Sequence, residues 1–355
     1  MSPHGLPSLE HARVAGAYAA TALETARELG ADMATLHASC ALPQAPQAQQ
    51  AQQAQPATLS VRQYLTLLER AAAQLGEPAF GLQVGARMRL ATFAGYGLVL
   101  CTCADFRTAA AQTCRFEGLA HDLGRSEIIE QGPLASYRWH SPWLALPGGR
   151  HLAESVLVGI RSFAVWLAGR DLPGVDIGFT HARPGTLTQA DYETLLGVPV
   201  RFEAAANELR FPTQLLDAPI ANADTSLFPA LERLAHERLR SRAREAKEGA
   251  AIIGQVRERI QAQLMHERAS VAEVAAALHL STRSLQRKLA EAGSPPFSEL
   301  VDQTRRELVQ RYLREPGLSL TEVAFLLGFR QQSSFNHAFR AWFDCTPAQW
   351  RAQAV

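Results

Sequence analysis

The chain has 355 residues, 47% of them hydrophobic, and 35 basic against 34 acidic side chains leave a net charge of +1. That is ample chain for two domains with separate cores. Five cysteines, an odd number at this length, exclude a disulfide-stapled scaffold. The near-neutral total hides an asymmetry: residues 1–229 carry 16 basic and 20 acidic side chains, residues 230–355 carry 19 and 14. A mildly basic second half suits a phosphate backbone, and an acidic front half does not.

The N-terminal MSPHGLPSLEHARVAG lacks a basic region followed by an apolar run, so no signal peptide is read, and the apolar stretch Ala91–Ala104 is too short to span a bilayer. A cytoplasmic protein with no membrane partner is expected. Residues 1–42 form an N-terminal helical segment: Val14–Leu29 is rich in Ala and Leu, and Gly30 supplies a stop. Residues 43–57, PQAPQAQQAQQAQPA, have no large apolar side chain and read as a linker. The segment before it is therefore expected to dock onto the rest as a separate flap or to pair with another subunit.

Residues 58–225 have mixed periodicity. Ser60–Leu75 and Asp105–Asp122 are amphipathic helices by pattern, and Glu127–Gln131 and Ser136–His140 alternate as strands about Gly132-Pro133. His151–Leu167 reads as a helix, followed by strands near Val175–Thr180, Val198–Phe202 and Glu208–Phe211. The expectation is an α+β domain, helices with a small antiparallel sheet. His121, His140, His151 and His181 invite a catalytic or metal reading, and Tyr137, Trp139 and Trp143 could line a pocket. Yet no pair of histidines has metal-ligand spacing, no Ser or Cys sits in a nucleophile motif, and no glycine-rich phosphate loop occurs. No catalytic residue, metal or cofactor is expected. Cys101, Cys103 and Cys114 could form a thiol sensor, although small buried side chains are the commoner use of such cysteines. Residues 226–250 read as a linker helix, with a partial stripe of Leu227, Leu231, Leu234 and Leu239 among arginines; it either pairs subunits, transmits a ligand state or is a solvated connector.

Residues 251–355 carry the strongest signal. Ser270–Leu280, SVAEVAAALHL, returns forty-nine positions later as Ser319–Phe329, SLTEVAFLLGF. Each copy opens on Ser-x-x-Glu, a capping box. Each places apolar residues on one helical stripe: Val271, Val274, Ala275 and Leu278, then Leu320, Val323, Ala324 and Leu327. A turn and a second helix follow, with Leu285 and Leu289, or Phe335 and Phe339, pointing back. Gly328 suits the positive-φ turn position, and His279 stands there in the first copy. This is an all-α domain of two helix-turn-helix units. A single αα-hairpin is common in proteins that never touch nucleic acid, but both second helices here carry suitable exposed groups. Arg283, Ser284, Gln286, Arg287 and Lys288 lie on the first; Gln332, Ser333, Asn336, His337 and Arg340 lie on the second. Arg can bond bidentately to guanine, and Gln or Asn to adenine. Double-stranded DNA is the expected partner.

With VAEVAAALHLSTRSLQRKLAEAG, PPFSELVDQTRRELVQRYL and SLTEVAFLLGFRQQSSFNHAFRAWFDCTPAQWR, residues 251–351 resemble the DNA-binding domain of AraC/XylS-type transcription regulators. The front domain is similar to the effector domain of that family's ornithine-utilization-regulator-like branch, often labelled arabinose-binding. The likeness rests on Phe80-Gly-Leu-Gln-Val-Gly85, Thr180-His-Ala-Arg-Pro184, Leu196-Gly-Val-Pro-Val-Arg-Phe202 and Asn207-Glu-Leu-Arg-Phe211. The resemblance implies a long helix over Pro296–Leu313 that lets one monomer enter two successive major-groove segments, about 34 Å apart. Base readers carried over by position are Arg283, Gln286, Arg287, Gln332, Ser333 and Asn336. His337 stands where the family often has Arg. The resemblance further implies an effector-binding and dimerisation role for 58–225, a small-molecule effector, a homodimer and RNA polymerase as a candidate partner. The alternatives are a front domain that only oligomerises or contacts a protein, and an enzyme or thiol sensor fused to a DNA-binding module.

Overall fold

The computed structural model describes residues 6–9, 11–42, 58–264 and 269–353. The tract expected as a linker over 43–57 lies outside them. Two compact units form, Met1–Arg240 and Ser241–Val355, each with its own apolar core.

In unit 1, β1 (Arg13–Val14) precedes α1 (Gly16–Glu28) and α2 (Met33–Ser39). Asp32 caps α2 by accepting from Ala34 and Thr35 N–H at 3.0 and 3.3 Å. β2 (Leu59–Ser60) pairs antiparallel with β1 and leads into α3 (Val61–Leu75). Ser60 and Gln63 close a full capping box at its start. Val14, Tyr18 and Ala22 are buried in one cluster with Tyr64 and Leu68, so residues 11–42 share the unit's core. The segment docks onto the rest of the unit, and the apolar face of α1 is covered within the same chain.

α4 (Phe80–Ala86), α5 (Ala94–Leu100) and α6 (Phe106–Phe116) follow. Asp105 caps α6 through Thr108 N–H at 2.8 Å, and a 3₁₀ turn, Glu117–Leu119, ends the helix earlier than the expected Asp122. The hairpin β3 (Arg125–Gln131) and β4 (Leu134–His140) turns at Gly132, where φ is +63°. Then come α7 (Gly149–Ala168), β5 (Asp176–Gly178), α8 (Gln189–Leu196), β6 (Val200–Arg201) and β7 (Asn207–Pro212). The sheet order is β3-β4-β7-β5-β6. This is the α+β domain with a small antiparallel sheet that the periodicity implied, with one addition. β6 joins β5 in parallel, which the intervening helix α8 allows because it supplies the crossover that parallel strands need.

α7 is the one helix among the described residues long and apolar enough to cross a membrane, yet most of that stretch is buried inside the unit. Leu152, Val156, Leu157 and Phe163 pack into the core. α4 crosses α7 so closely that a Cβ on Gly81 would lie 2.5 Å from the His151 carbonyl oxygen, and one on Gly85 2.7 Å from that of Ser155. The Phe80–Gly85 motif is thus a backbone contact between two helices.

α9 (Phe228–Leu264) is continuous through the segment expected as a linker helix. Leu231 and Leu239 pack against the first core, while Leu227 and Leu234 are about half exposed. Further along, Ile253, Val256, Ile260 and Leu264 belong to the core of unit 2. That unit continues with α10 (Val271–Ala277), α11 (Thr282–Glu291), α12 (Phe297–Leu313), α13 (Leu320–Leu326), α14 (Gln332–Phe343) and α15 (Pro347–Gln353).

Candidate nucleic-acid interface and an apolar cavity

The sequence repeat becomes a structural repeat. Val274 and Ala275 of α10 and Val323 and Ala324 of α13 are buried, as are Leu285 and Leu289 of α11 and Phe335 and Phe339 of α14. The two turns close alike. Leu280 N–H donates to Ala275 O at 2.9 Å and His279 N–H to Ala276 O at 3.0 Å; Phe329 N–H donates to Ala324 O at 3.0 Å and Gly328 N–H to Phe325 O at 2.9 Å. These bonds satisfy the last carbonyls of each first helix and demand a left-handed residue. Gly328 takes φ +75° and His279 takes φ +56°, so the first turn has the same geometry with a less suitable residue.

The caps differ. Ser319 and Glu322 form the expected capping box. Ser270 makes no side-chain cap, and its N–H donates to Gln263 Oε1 of α9 at 3.1 Å. The neighbouring helix does what Glu273 was expected to do.

α12 carries buried Leu300, Val301, Leu308 and Val309 within the core that holds both hairpins. Its side chains also tie down its neighbours. Arg257 of α9 bonds Glu307 at 2.6 Å, and Arg305 Nε donates to Leu327 O at the end of α13 at 3.0 Å. The Thr346-Pro347 and Trp350-Arg351 pairs have structural uses: Thr346 Oγ1 accepts from Gln349 N–H at 3.2 Å, and Arg351 Nε donates to Leu313 O at 3.1 Å. Arg314 lies over the Trp350 ring.

The expected readers divide by exposure. Arg283, Gln286, Arg287 and Lys288 are exposed on α11 and Ser284 is half-buried. Ser281 Oγ lies 2.9 Å from Ser284 Oγ and accepts from Ser284 N–H at 3.1 Å, so Ser284 belongs to the helix cap. Arg287 pairs with Glu291 at 3.2 Å, a solvated contact that holds little energy. On α14, Ser333, His337 and Arg340 are exposed. Gln332 is half-buried and its Oε1 accepts from Thr321 Oγ1 at 2.8 Å, a partner that residue spacing alone does not reveal. Asn336 is half-buried with an enclosed Oδ1 that has no hydrogen-bond partner among the described residues.

In unit 1 the histidines have structural neighbours. His140 lies 2.7 Å from Glu127 across the hairpin, and His151 Nδ1 accepts from Gly81 N–H at 3.2 Å. His181 stacks on Phe179, and burial lowers its pKa. Among the described residues no group of His, Cys, Asp and Glu is arranged to hold a metal. Trp143 Nε1 donates to Asp122 O at 2.9 Å and Trp139 is buried, so both are core residues. Burial pushes the Cys103 and Cys114 thiols up to about 12 and raises that of Cys101. Such thiols hold little thiolate at neutral pH, which argues against a redox sensor.

Unit 1 also holds a cavity of about 110 Å³ between the sheet and helices α5, α6 and α7. Tyr96, Phe106, Phe163, Tyr137 and Leu209 line it, and Arg161 is its one charged side chain. Of the aromatic residues suspected of lining a pocket, Tyr137 does.

The family model for the arabinose-binding N-terminal domain of AraC transcription regulators matches residues 30–220, and a helix-turn-helix domain model matches residues 274–353. The ornithine utilization regulator of Pseudomonas aeruginosa is 29% identical over 304 residues, 82% of this chain and 84% of that one. The regulator VirS of Mycobacterium tuberculosis is 30% identical over 312 residues, 83% of this chain and 85% of its own. Among solved structures, the regulator CdpR from Pseudomonas aeruginosa aligns over 90% of this chain and 96% of its own, with 23% identity and a TM-score of 0.41. The chain belongs to the AraC family of transcription regulators and is a DNA-binding helix-turn-helix protein.

Proposed function

We propose that this regulator reads specific base pairs with α11 and α14 of one monomer, acts as a cytoplasmic homodimer, and responds to a small metabolite held in unit 1. The observation that carries the base-reading half is the division of each second helix. Its apolar residues are buried, while Arg283, Gln286, Arg287 and Lys288 on one, and Ser333, His337 and Arg340 on the other, are left exposed. Gln332 and Asn336 join the readers in this account by leaving Thr321 and the half-buried site for an adenine edge. Half-exposed Leu227, just before α9, and Leu234 on it favour pairing of two copies along that helix. The apolar cavity supports a metabolite over an oligomerisation-only front unit. In this reading the chain is not an enzyme and uses no catalytic residue, metal or cofactor; its named relatives are transcription regulators. RNA polymerase is the partner through which an activator of this kind works.

The test uses the full-length chain and DNA from upstream of its own gene. Binding is expected at low salt, and the logarithm of the affinity should fall linearly with the logarithm of salt concentration, losing at least about 10³-fold between 50 and 200 mM. Binding that ignored salt, or that did not distinguish this DNA from random sequence, would contradict specific readout.

A further inference from the structure

We propose that the cavity of unit 1 takes a small monocarboxylate with an apolar body of ring or short-acyl size, held by Arg161. The proposal rests on the metabolite-responsive reading above and names the chemistry of its ligand.

The walls set the body of the ligand. Phe93, Tyr96 and Leu100 on one side, Phe163 and Leu167 on α7, and Leu209 and Phe211 on the sheet present rings and branched chains. The volume, about 110 Å³, is of the order of the roughly 150 Å³ apolar cavity that admits benzene in an engineered protein. A long acyl chain does not fit such a space, and a sugar would leave most of its hydroxyls without partners against these largely apolar walls. Thr113, the one wall residue with a short aliphatic hydroxyl, already donates that group to Ala109 O at 3.0 Å.

Arg161 sets the head group. It comes from the middle of α7, lines the cavity, and also lines a polar depression with Asp171, Asp176 and Thr194. Arg161 therefore lies between the apolar cavity and that depression. Its Nε is enclosed and has no hydrogen-bond partner among the described residues. Burial lowers its pKa, and Asp171 offsets this only in part. A half-buried cation with an enclosed, unused Nε donor is costly. A carboxylate that reached it from the cavity would gain charge-assisted hydrogen bonds of the fork type that arginine provides. An amine would be repelled, and a neutral amide would answer the donor without answering the charge.

The experiment measures binding of six probes to the full-length protein by calorimetry: phenylacetate and hexanoate, the amides phenylacetamide and hexanamide, and the amines 2-phenylethylamine and hexylamine. The carboxylates are expected to bind at least tenfold more tightly than their amides, and the amines not at all. Arg161→Met should remove that preference while leaving amide binding unchanged, and Arg161→Lys should retain part of it. Thermal unfolding and DNA binding of each variant establish that it is folded. Amides or amines binding as tightly as carboxylates, with Arg161→Met without effect, would overturn the carboxylate assignment and leave the metabolite reading standing. If no probe bound, the carboxylate assignment would fall. The wider reading would fall with it only if filling the cavity by Ala164→Trp left reporter expression unchanged under every growth condition that alters it in the parent.

Discussion

Glu117 closes α6 and is buried, within electrostatic reach of Tyr18, Tyr96 and Tyr137. Its Oε1 accepts from Ser126 N–H and its Oε2 from the Ser126 hydroxyl, each at 2.7 Å. These bonds favour the ionised form, but burial outweighs them and pushes the carboxyl up to about 7. The folded chain then holds this proton to a higher pH than the unfolded chain does. The site's contribution to stability is therefore greatest in acid, falls as pH rises from about 4.5 to about 7, and is level above that, a total of about 3 kcal/mol. Glu117→Gln keeps an acceptor for Ser126 N–H and has no charge to desolvate. The variant should melt above the parent at pH 8 and lose that advantage by pH 5. Parallel melting curves across this range would contradict the burial argument. His279 is a second residue whose surroundings dictate its state: the left-handed turn that Gly328 enters freely costs a side-chain-bearing residue about 1 kcal/mol.

At the scale of elements, α4 and α7 of unit 1 cross with their backbones in close approach. Gly85→Val would place a Cβ 2.7 Å from both Ser155 O and Val158 Cβ, where backbone and core side chain leave no room. A loss of about 3 kcal/mol is expected in urea unfolding of the chain; an unchanged midpoint would show that the helices separate easily. Elements whose signals are local were legible in the sequence. Ser319 with Glu322 and the hairpin at Gly132 both act within a few residues, and the structure has each of them. Signals settled by distant residues were not legible. The Ser270 cap yields to Gln263, α4 is held by glycines chosen for contact with α7, and β6 finds a parallel partner only after α8 has crossed over. The candidate readers on α11 and α14 could be named from a repeat, because a short stripe of apolar residues decides which side of each helix remains outside. Arg161 could not: its cavity is assembled from residues between Phe93 and Leu216, and nothing adjacent to it in sequence marks it as different from other arginines.

At the scale of the whole molecule, two separate cores are strung on one chain, and α9 contributes to both. A metabolite that changes DNA affinity by some factor must have its own affinity changed by DNA by the same factor, typically through a coupling of about 1–3 kcal/mol. That linkage holds however unit 2 grips DNA; the proposed grip is a tandem, with α11 and α14 on successive stretches of one site. Selection of binding sites from random sequence, carried out with the parent chain, Arg283→Ala and Gln332→Ala, tests this most directly. Each substitution should cost about 1–3 kcal/mol on the parental site and relax base preference at one position, the two positions lying about one helical turn apart. Relaxation at the same base pair by both substitutions, or at none, would contradict the tandem reader.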